Sequence, residues 1–406
     1  MSRPSAAEIA QLAERHTPEM VRFLQDMIAI PSESTCEKAV AERAKAEMEA
    51  AGFDEVKVDG LGNVLGRVGS GRTVIALDAH LDTVGVGDIS TWERDPYRGE
   101  LRDGVVYGRG ASDQEGGLAA AVYGARIVKQ LGLEGDCQLW VTCTVMEEDC
   151  DGLCWQYILK EKVLSPDVVV ITEPTNLSVH RGQRGRMEME VRTQGRSCHG
   201  SAPERGVNAI YRMAPIIGEI EQLNHRLAER TDPFLGKGSI TISQIRSTSP
   251  SLCAVADSAT IYLDRRLTQG ETLELAAAEI QDLPSVGQAG ARVSVPEFSR
   301  ESYTGLKYPT PKYYPTWTMP EDHPAVVAAV RAAEHTLGRR PQVGKWLFST
   351  NGVATSGMFG IPTVGFGPGD ERYAHTPEDQ VPVEHLTRAA AVYAAFPLLF
   401  LDTIAR

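Results

Sequence analysis

The sequence has few cysteines, no long apolar run near its start and no excess of positive charge, and each absence excludes a class of protein. Seven cysteines among 406 residues, without dense spacing, exclude a disulfide framework. Residues 1–30 carry charges throughout and hold no apolar stretch long enough for a signal peptide or membrane span, which predicts a cytoplasmic location. A net charge of −13 disfavours nucleic-acid and acidic-membrane partners.

Signals for zinc fingers and nucleotide loops are also missing. Cys150 and Cys154 are four residues apart, but no further thiol or imidazole follows at finger-like spacing. We therefore expect both to be small buried apolar residues. Gly108-Arg-Gly110 lacks the spacing of a P-loop or a Rossmann motif, so a phosphate or nucleotide binder is a weak alternative.

A chain of 406 residues with 42% hydrophobic content predicts two soluble globular domains. Strands and helices alternate in its first part, which predicts an α/β sheet with helices on both faces. The expected helices lie at 5–30, 36–51, 115–131 and 152–161. The expected strands are Val56–Val58, Val64–Val68, the run from Thr73, Gln138–Val145 and Val168–Ile171.

The pattern changes near residue 184 to the order β-α-β-β-α-β, which predicts a ferredoxin-like unit. Its expected strands lie around Met187–Val191, Ser239–Ile245, Ala259–Leu267 and Arg292–Val295, and its expected helices at 206–228 and 271–282. Helices at 324–337 and 384–404 then return to the first pattern. We therefore predict a discontinuous catalytic domain, 1–183 and 299–406, with a smaller domain inserted at 184–298.

Polar residues follow several predicted strands, and together they supply two imidazoles and a set of carboxylates. They are His80, Asp113, Glu147, Glu148, Glu173 and His375. In open α/β sheets, ligands bind beyond the carboxyl ends of the strands, where most of these residues lie. Imidazole and carboxylate are the ligand types that hold a pair of divalent metals for hydrolysis.

The motifs around these residues resemble the signature series of the M20 metallopeptidase family, in order and over nearly the whole chain. They are HLDTV at 80–84, YGRGASDQEGG at 107–117, EED at 147–149, TEPT at 172–175 and AHTPE at 374–378. That family includes dipeptidases, carboxypeptidases, aminoacylases, acetylornithine deacetylases and succinyl-diaminopimelate desuccinylases. The stretch from KWLFSTNG to the last helix is most similar to a subgroup of hydrolases linked to selenium metabolism.

The resemblance implies two divalent metal ions per chain, Zn²⁺ first and Co²⁺ or Mn²⁺ as alternatives. It implies that His80, Asp113 and Glu173 hold one metal. It implies that Asp113, Glu148 and His375 hold the other, with Asp113 as the bridge. The counterpart of Glu147 in the family is the general base that takes a proton from water at the metals.

Asp82 lies two residues after His80, so the two side chains share a face on a regular strand. The Asp82 carboxylate is therefore expected to accept the second ring N–H of His80 and to fix its tautomer.

The segment GRSCHGSAPERGVNAI at 195–210 resembles the family motif whose histidine, here His199, enters the partner subunit's active site. This implies a homodimer that forms through the inserted domain and shares its sites. LDRRLT at 263–268 resembles a family strand in which Arg266 is the candidate clamp for a substrate carboxylate. Arg265 is then expected on the opposite face.

Two loops are expected to line the substrate site, through Thr350 and Asn351 in one and through Gly367 and Gly369 in the other.

Three segments depart from the family pattern. Cys253-Ala-Val-Ala256 stands where many relatives have Asn-x-x-Pro, and Gln114-Glu115 stands where a lysine is common. Glu378-Asp379 follow His375 where relatives often have neutral residues. These departures affect the expected substrate identity and metal preference. None of them removes a candidate metal ligand.

The sequence therefore predicts hydrolysis of a C–N amide bond in a small substrate with a free carboxylate. A metal-bridging water activated by Glu147 attacks the carbonyl, and the metals and His199 stabilise the oxyanion. A dipeptidase or carboxypeptidase is the first expectation. Deacylation of an N-acyl amino acid is the second, and a non-catalytic dimeric binding protein on the same fold is an alternative of another class.

Overall fold

The computed structural model describes residues 4–405, and nine α-helices lie within that range. They are α1 (Ala6–Ile28), α2 (Lys38–Ala50), α3 (Glu115–Leu131), α4 (Leu153–Lys160), α5 (Ala209–Glu229), α6 (Leu273–Gln281), α7 (Pro284–Ala289), α8 (Pro324–Leu337) and α9 (Val383–Ile404). A short π-helix also spans Val353–Met358.

The strands of the first half are β1 (Glu55–Val58), β2 (Val64–Val68), β3 (Thr73–His80), β4 (Glu100–Arg102), β5 (Val105–Tyr107), β6 (Cys137–Thr144), β7 (Val168–Ile171), β8 (Val179–Gln183) and β9 (Gly185–Gln194). Those that follow are β10 (Thr231–Asp232), β11 (Gly236–Lys237), β12 (Ser239–Thr248), β13 (Ser258–Leu267), β14 (Arg292–Ser294), β15 (Glu297–Phe298), β16 (Thr310–Pro311), β17 (Tyr313–Tyr314), β18 (Trp317–Thr318), β19 (Val343–Trp346), β20 (Thr363–Gly365) and β21 (Gln380–Pro382).

A mixed nine-stranded sheet organises the larger core in the order β1-β2-β6-β3-β7-β20-β8-β18, with β19 also paired to β8. Strands β6, β3, β7 and β20 run parallel at its centre. Every residue of β7 is buried, as is β3 from Ile75 to its end. Such continuous apolar runs are typical of parallel strands covered on both faces. The mixed α/β class predicted from the sequence is confirmed.

A second, antiparallel sheet lies in the segment between the two halves of the large one. Four of its five strands lie side by side in the order β12-β13-β9-β14, and the short strand β17 also pairs with β9. Numbered along the chain, these four are the second, third, first and fourth. Met187, Met189 and Val191 of β9 face a separate hydrophobic cluster that also contains residues of α5 and α6. The domain boundaries at 183/184 and 298/299 stay a prediction, which the two separate clusters support.

Two chain segments cross between the sheets at one place. Strand β8 of the large sheet leads directly into β9, and β17 of the small sheet leads into β18 of the large one. Gly185 sits at this crossing, where a β-carbon would lie 2.6 Å from the main-chain oxygen of Tyr314 and from the nitrogen of Thr316. The two segments can therefore pass this closely only because residue 185 has no side chain.

Most predicted elements agree with the structure to within a few residues, and the differences have local causes. Helix α5 begins at Ala209 rather than 206, because Asn208 caps it by accepting the N–H of Ile210 at 2.9 Å. The three-stranded sheet formed by β4, β5 and β21 was not predicted. Cys150 and Cys154 are buried and free, as expected.

Helix α9 is the one helix within residues 4–405 whose length and composition would suffice to cross a membrane. Its apolar residues pack here against other helices: Ala389–Pro397 are buried, and α9 contacts α1, α3 and α8. In this fold α9 is a core helix of the larger domain.

Candidate metal centre

Four of the candidate ligands or catalytic residues lie at the carboxyl ends of adjacent parallel strands. His80 is the last residue of β3, Glu147 and Glu148 follow β6, and Glu173 follows β7. Because β6, β3 and β7 are neighbours in the sheet, their carboxyl ends meet at the same edge. His80, Glu147 and Glu173 are almost fully buried there, at 1%, 3% and 2% exposure.

Loops bring the other two candidates to the same place. Asp113 lies just before Gln114, the residue that caps α3, and is 6% exposed. His375 follows a short helical turn, has a backbone φ of 60° and is the more accessible imidazole, with 53% of its side chain exposed.

The Asp113 carboxylate joins the two imidazoles. Its Oδ1 lies 3.0 Å from Nε2 of His80, and its Oδ2 lies 3.2 Å from Nε2 of His375. Glu173 lies 3.4 Å from Nε2 of His80, and Glu148 lies 3.0 Å from Nε2 of His375. The predicted ligand sets are therefore each gathered around one imidazole, and Asp113 directs one oxygen to each set.

Two overlapping groups of three residues could each hold a metal ion. In each group, one potential ligand atom per residue lies within 4.8 Å of the others. One group is His80, Glu147 and Glu173, and the other is His80, Asp113 and Glu148. The first includes Glu147, which the sequence assigned to catalysis rather than to metal binding. Glu147 Oε2 lies 3.9 Å from His80 Nε2, compared with 3.4 Å for Glu173, so Glu173 is the nearer carboxylate.

The pKa values of these groups are shifted because carboxylates and imidazoles are buried close together. Burial, together with the neighbouring Asp113 carboxylate, raises the pKa of Glu173 to about 8 and that of Glu148 to about 7. Burial also raises the pKa of Glu147 well above its usual range. Hydrogen bonds to Asp113 and Glu148 raise the pKa of His375 to about 10.

The donor set fits divalent cations. Oxygen Oε1 of Glu147 and Oε2 of Glu173 are buried without a hydrogen-bond partner. A buried carboxylate oxygen without a donor is costly, and a cation at the centre would satisfy it. Neutral imidazole nitrogens and carboxylates suit zinc, and they also suit manganese and cobalt.

The expected role of Asp82 needs a correction. His80 Nδ1 lies 2.7 Å from the main-chain oxygen of Asp82 but 3.8 Å from its carboxylate, so the carbonyl fixes the ring. Strand β3 ends at His80, so Asp82 lies past the regular strand on which the prediction depended. The Asp82 carboxylate instead accepts the main-chain N–H groups of Glu147 at 3.1 Å and Glu148 at 3.0 Å.

Asp379 is a supporting residue that the sequence analysis recorded only as a departure. Its buried carboxylate accepts the N–H groups of Gly110 and Ser112, both at 2.8 Å, and pairs with Arg109 at 3.0 Å. Burial raises the pKa of Asp379 to about 7 although Arg109 opposes the shift. These contacts hold the loop that carries Asp113. The position of Asp379, shortly after His375, is the one feature of the sequence that could have indicated this role.

A cavity of about 370 Å³ opens onto the centre. It is lined by Asp113, Glu147, Glu148, Asp151, Glu173, Arg186, Arg266, Phe348, Ser349, Glu371, Ala374 and His375. Arg266, the candidate clamp, is in this wall, and so is Arg186, for which no role was predicted. Arg265 lies on the opposite face, fully buried against Glu271 and Glu279, as the alternation of the strand predicts.

The four residues predicted to bind substrate do not line the cavity, although Ser349, which precedes Thr350 in the first loop, does. Asn351 is buried and donates to Asp78 at 2.9 Å, and Thr350 is buried and donates to Gln183 at 2.6 Å. A β-carbon at Gly367 would lie 2.1 Å from the main-chain oxygen of Glu173. The absence of a side chain at Gly367 therefore allows this loop to pack against the main chain of Glu173, a candidate metal ligand. The structure gives these residues positioning contacts, and direct substrate contact stays a prediction.

Gly369 has a φ of 80°, and a β-carbon there would lie 2.8 Å from the Ser112 hydroxyl. It packs against the loop that carries Asp113. His199 lies in the inserted segment, is exposed, and contacts Ser201 Oγ through Nδ1 at 2.7 Å. It does not line the cavity of its own chain.

Comparisons with known proteins agree with this geometry. Residues 76–398 match the family described as Peptidase family M20/M25/M40. The chain is 55% identical over 395 residues to the uncharacterized protein YgeY of Escherichia coli strain K12, covering 97% of this chain and 98% of YgeY. It is 30% identical over 387 residues to the acetylornithine deacetylase of Klebsiella pneumoniae strain 342, covering 90% and 94% of the two chains.

Among solved structures, the fold is similar to that of the Bacillus subtilis YXEP protein, described as a dinuclear metal-binding peptidase. The TM-score is 0.70 at 16% sequence identity, and the match covers 96% of this chain and 99% of that one.

We predict that Asp379→Asn lowers the affinity for Zn²⁺, because the loop that carries Asp113 loses a buried acceptor and its partner for Arg109. The expected loss is about 10- to 100-fold, as for other residues that orient metal ligands. The measurement is zinc content at fixed free Zn²⁺. The neighbouring exposed Glu378→Gln is the control, and equal zinc binding by both variants would contradict the role given to Asp379.

Proposed function

Since the chain belongs to the peptidase family M20/M25/M40, we propose that it hydrolyses a C–N amide bond in a small substrate that bears a free carboxylate. A dipeptidase or carboxypeptidase of this metal-dependent class is the preferred assignment. A cytoplasmic location is part of this proposal.

One observation carries the proposal: a single buried carboxylate lies between two imidazoles. Asp113 directs one oxygen to His80 and the other to His375, and each imidazole has a further glutamate beside it. A carboxylate can join two cations because each of its oxygens can bind one. His80, Asp113 and Glu173 would hold one ion, and Asp113, Glu148 and His375 would hold the other, most readily Zn²⁺.

Two such ions, when bound, would polarise the scissile carbonyl and make a nucleophile from water at neutral pH. Glu147 is the residue of this chain that would move the proton. Its Oε1 is buried, has no hydrogen-bond partner and belongs to a side chain in the cavity wall. A carboxylate at this position could take the proton from water and pass it to the departing nitrogen.

The position of Glu147 is set through its main chain. Asp82 accepts the N–H groups of both Glu147 and Glu148, and it also accepts the hydroxyl of Ser34 at 2.6 Å. Asp82 is therefore a positioning residue that holds the proposed base and an adjacent metal ligand in one orientation. This arrangement replaces its expected hydrogen bond to the ring of His80.

We further propose that the active unit is a homodimer in which His199 serves the partner subunit's cavity. His199 is exposed, lies on the inserted domain and does not line the cavity of its own chain. An imidazole in the partner's cavity could donate to the oxyanion that forms during amide cleavage.

Deacylation of an N-acyl amino acid is the second candidate, and the similarity to an acetylornithine deacetylase favours it. Both reactions break an amide bond next to a carboxylate and use the same centre. The non-catalytic alternative has less support, because the proposed base is present together with every proposed ligand.

A matched substrate panel tests the reaction class. We expect the Zn²⁺-, Co²⁺- or Mn²⁺-loaded protein to hydrolyse dipeptides in preference to N-acetyl and N-succinyl amino acids. Released amine is the quantity measured. Turnover of the acylated amino acids alone would move the assignment to deacylase, and no turnover with two metals bound per chain would contradict both.

Glu147→Gln should lower kcat by about 10²- to 10⁴-fold, because the variant cannot accept the proton from water. Its metal content should stay at the wild-type level. The adjacent Glu148→Gln is the matched contrast and should lose metal as well as activity. If Glu147→Gln retained its turnover, Glu147 would not be the base.

His199→Ala should lower turnover without releasing metal, because the side chain contacts no proposed ligand in its own chain. When this variant is mixed with Glu147→Gln and the subunits exchange, hybrid dimers should contain one intact site and regain part of the activity. Exchange is verified with differently tagged chains. Hybrids that form but show no recovery would contradict the shared site.

A further inference from the structure

Glu371 is an acidic residue of the cavity wall that has no part in the proposed centre. It lies in the loop between β20 and β21, ahead of His375, and its side chain lines the cavity. Its Oε2 atom is buried and receives no hydrogen bond from the residues that the structure describes. A buried carboxylate oxygen without a donor is costly, so this position favours a ligand that donates to it.

The other charged side chains of the cavity wall have partners. Asp151 lies 3.0 Å from Arg186, and Arg266 lies 2.8 Å from Asp264. Two divalent cations at the proposed centre would offset the charge of four further carboxylates, which are those of Asp113, Glu147, Glu148 and Glu173. The carboxylate that remains in the wall is that of Glu371.

Glu371 has no cation beside it among residues 4–405. The guanidinium of the next residue, Arg372, instead lies 3.4 Å from Asp370 and donates to the Tyr373 hydroxyl at 2.9 Å. Burial raises the pKa of Glu371; a hydrogen bond from the main chain of Leu347 opposes this shift, and the Asp370 carboxylate adds to it. A positively charged ligand would therefore stabilise the ionised Glu371 carboxylate.

An aromatic residue follows the one that contacts Glu371. Because the main chain of Leu347 bonds to the Glu371 carboxylate, the next residue, Phe348, lies close by, and its side chain also lines the cavity. The Phe348 ring packs against the buried Trp346, with 6.3 Å between the ring centroids. An ammonium group is attracted both by a carboxylate and by the face of an aromatic ring.

We infer that Glu371 and Phe348 form a subsite for a protonated amine of the substrate, and that Glu371 is the specificity-determining residue of this subsite. The inference rests on the proposed function and deepens it, because it requires that the substrate carry an ammonium group as well as a free carboxylate. That group is the α-ammonium of a peptide or the side-chain ammonium of an N-acyl diamino acid. Glu371 lies outside the sequence motifs, the last of which begins at Ala374.

Matched ligands with and without an amine test the subsite apart from catalysis. The first pair is alanyl-alanine and N-propionylalanine, and the second is N-acetylornithine and N-acetylnorvaline. Binding to Zn²⁺-loaded Glu147→Gln is measured in a calorimeter. Alanyl-alanine should bind about 10-fold more tightly than N-propionylalanine. A preference in the second pair alone would assign the subsite to a side-chain ammonium, and no preference in either pair would overturn the inference.

Two further substitutions separate recognition of the amine from a purely structural role. Adding Glu371→Gln should weaken binding of the preferred amine about 10-fold and leave its amine-free partner unchanged. Adding Phe348→Leu should weaken the same ligand about 2- to 5-fold, because the aromatic face is lost. If Glu371→Gln weakened both members of the pair equally, Glu371 would only hold its loop in place and the inference would be wrong.

Glu378→Gln is the matched control, because Glu378 lies further along the same loop, is exposed and does not line the cavity. It should bind all four ligands like the parent protein. An equal loss of preference in this variant, or no binding of any ligand to the zinc-loaded parent, would also overturn the inference. Failure of the wild-type protein to hydrolyse any substrate would instead count against the proposed function, because the preference is measured without turnover.

Discussion

Electrostatic repulsion among buried carboxylates at the carboxyl edge of the central sheet is the constraint on which the rest of this structure depends. Asp113, Glu147, Glu148 and Glu173 lie within reach of one another and of two imidazoles, largely out of contact with water. Burial and mutual repulsion raise the pKa of the three glutamates. Protons or cations among its oxygens would relieve this repulsion, which agrees with the membership of the chain in a family of metal-dependent hydrolases.

The surrounding structure keeps this repulsive cluster from spreading apart. Asp82 holds the turn after β6 through two main-chain N–H groups, and Asp379 holds the loop that carries Asp113 in the same way. Gly367 lets a further loop pack against the main chain of Glu173. In each case the contact is made to the main chain, so the side chains of the candidate ligands remain available to bind cations.

The sequence predicted most elements well, because they depend on local signals, and the structure brings the candidate ligands together. Apolar runs such as β7 and the ends of helices such as α3 are visible in the residues themselves, and the ligand motifs retain their order and spacing. The supporting contacts were less predictable. Asp379 meets Gly110 across 269 positions, and Arg186 on β9 meets Asp151 in the loop before α4, so neither contact has a local signature. For Asp82 the prediction failed because it assumed that β3 continued past His80.

The crossing at Gly185 has a mechanical consequence. Two chain segments pass each other here between the small antiparallel sheet and the large one, β8 into β9 and β17 into β18. Arg186 is the next residue after this crossing, and Asp151 contacts it from the other side. A side chain at residue 185 would push the two segments apart and displace Arg186 in the cavity wall. A single methyl group at a position outside the candidate centre would therefore change the shape of the cavity that opens onto it.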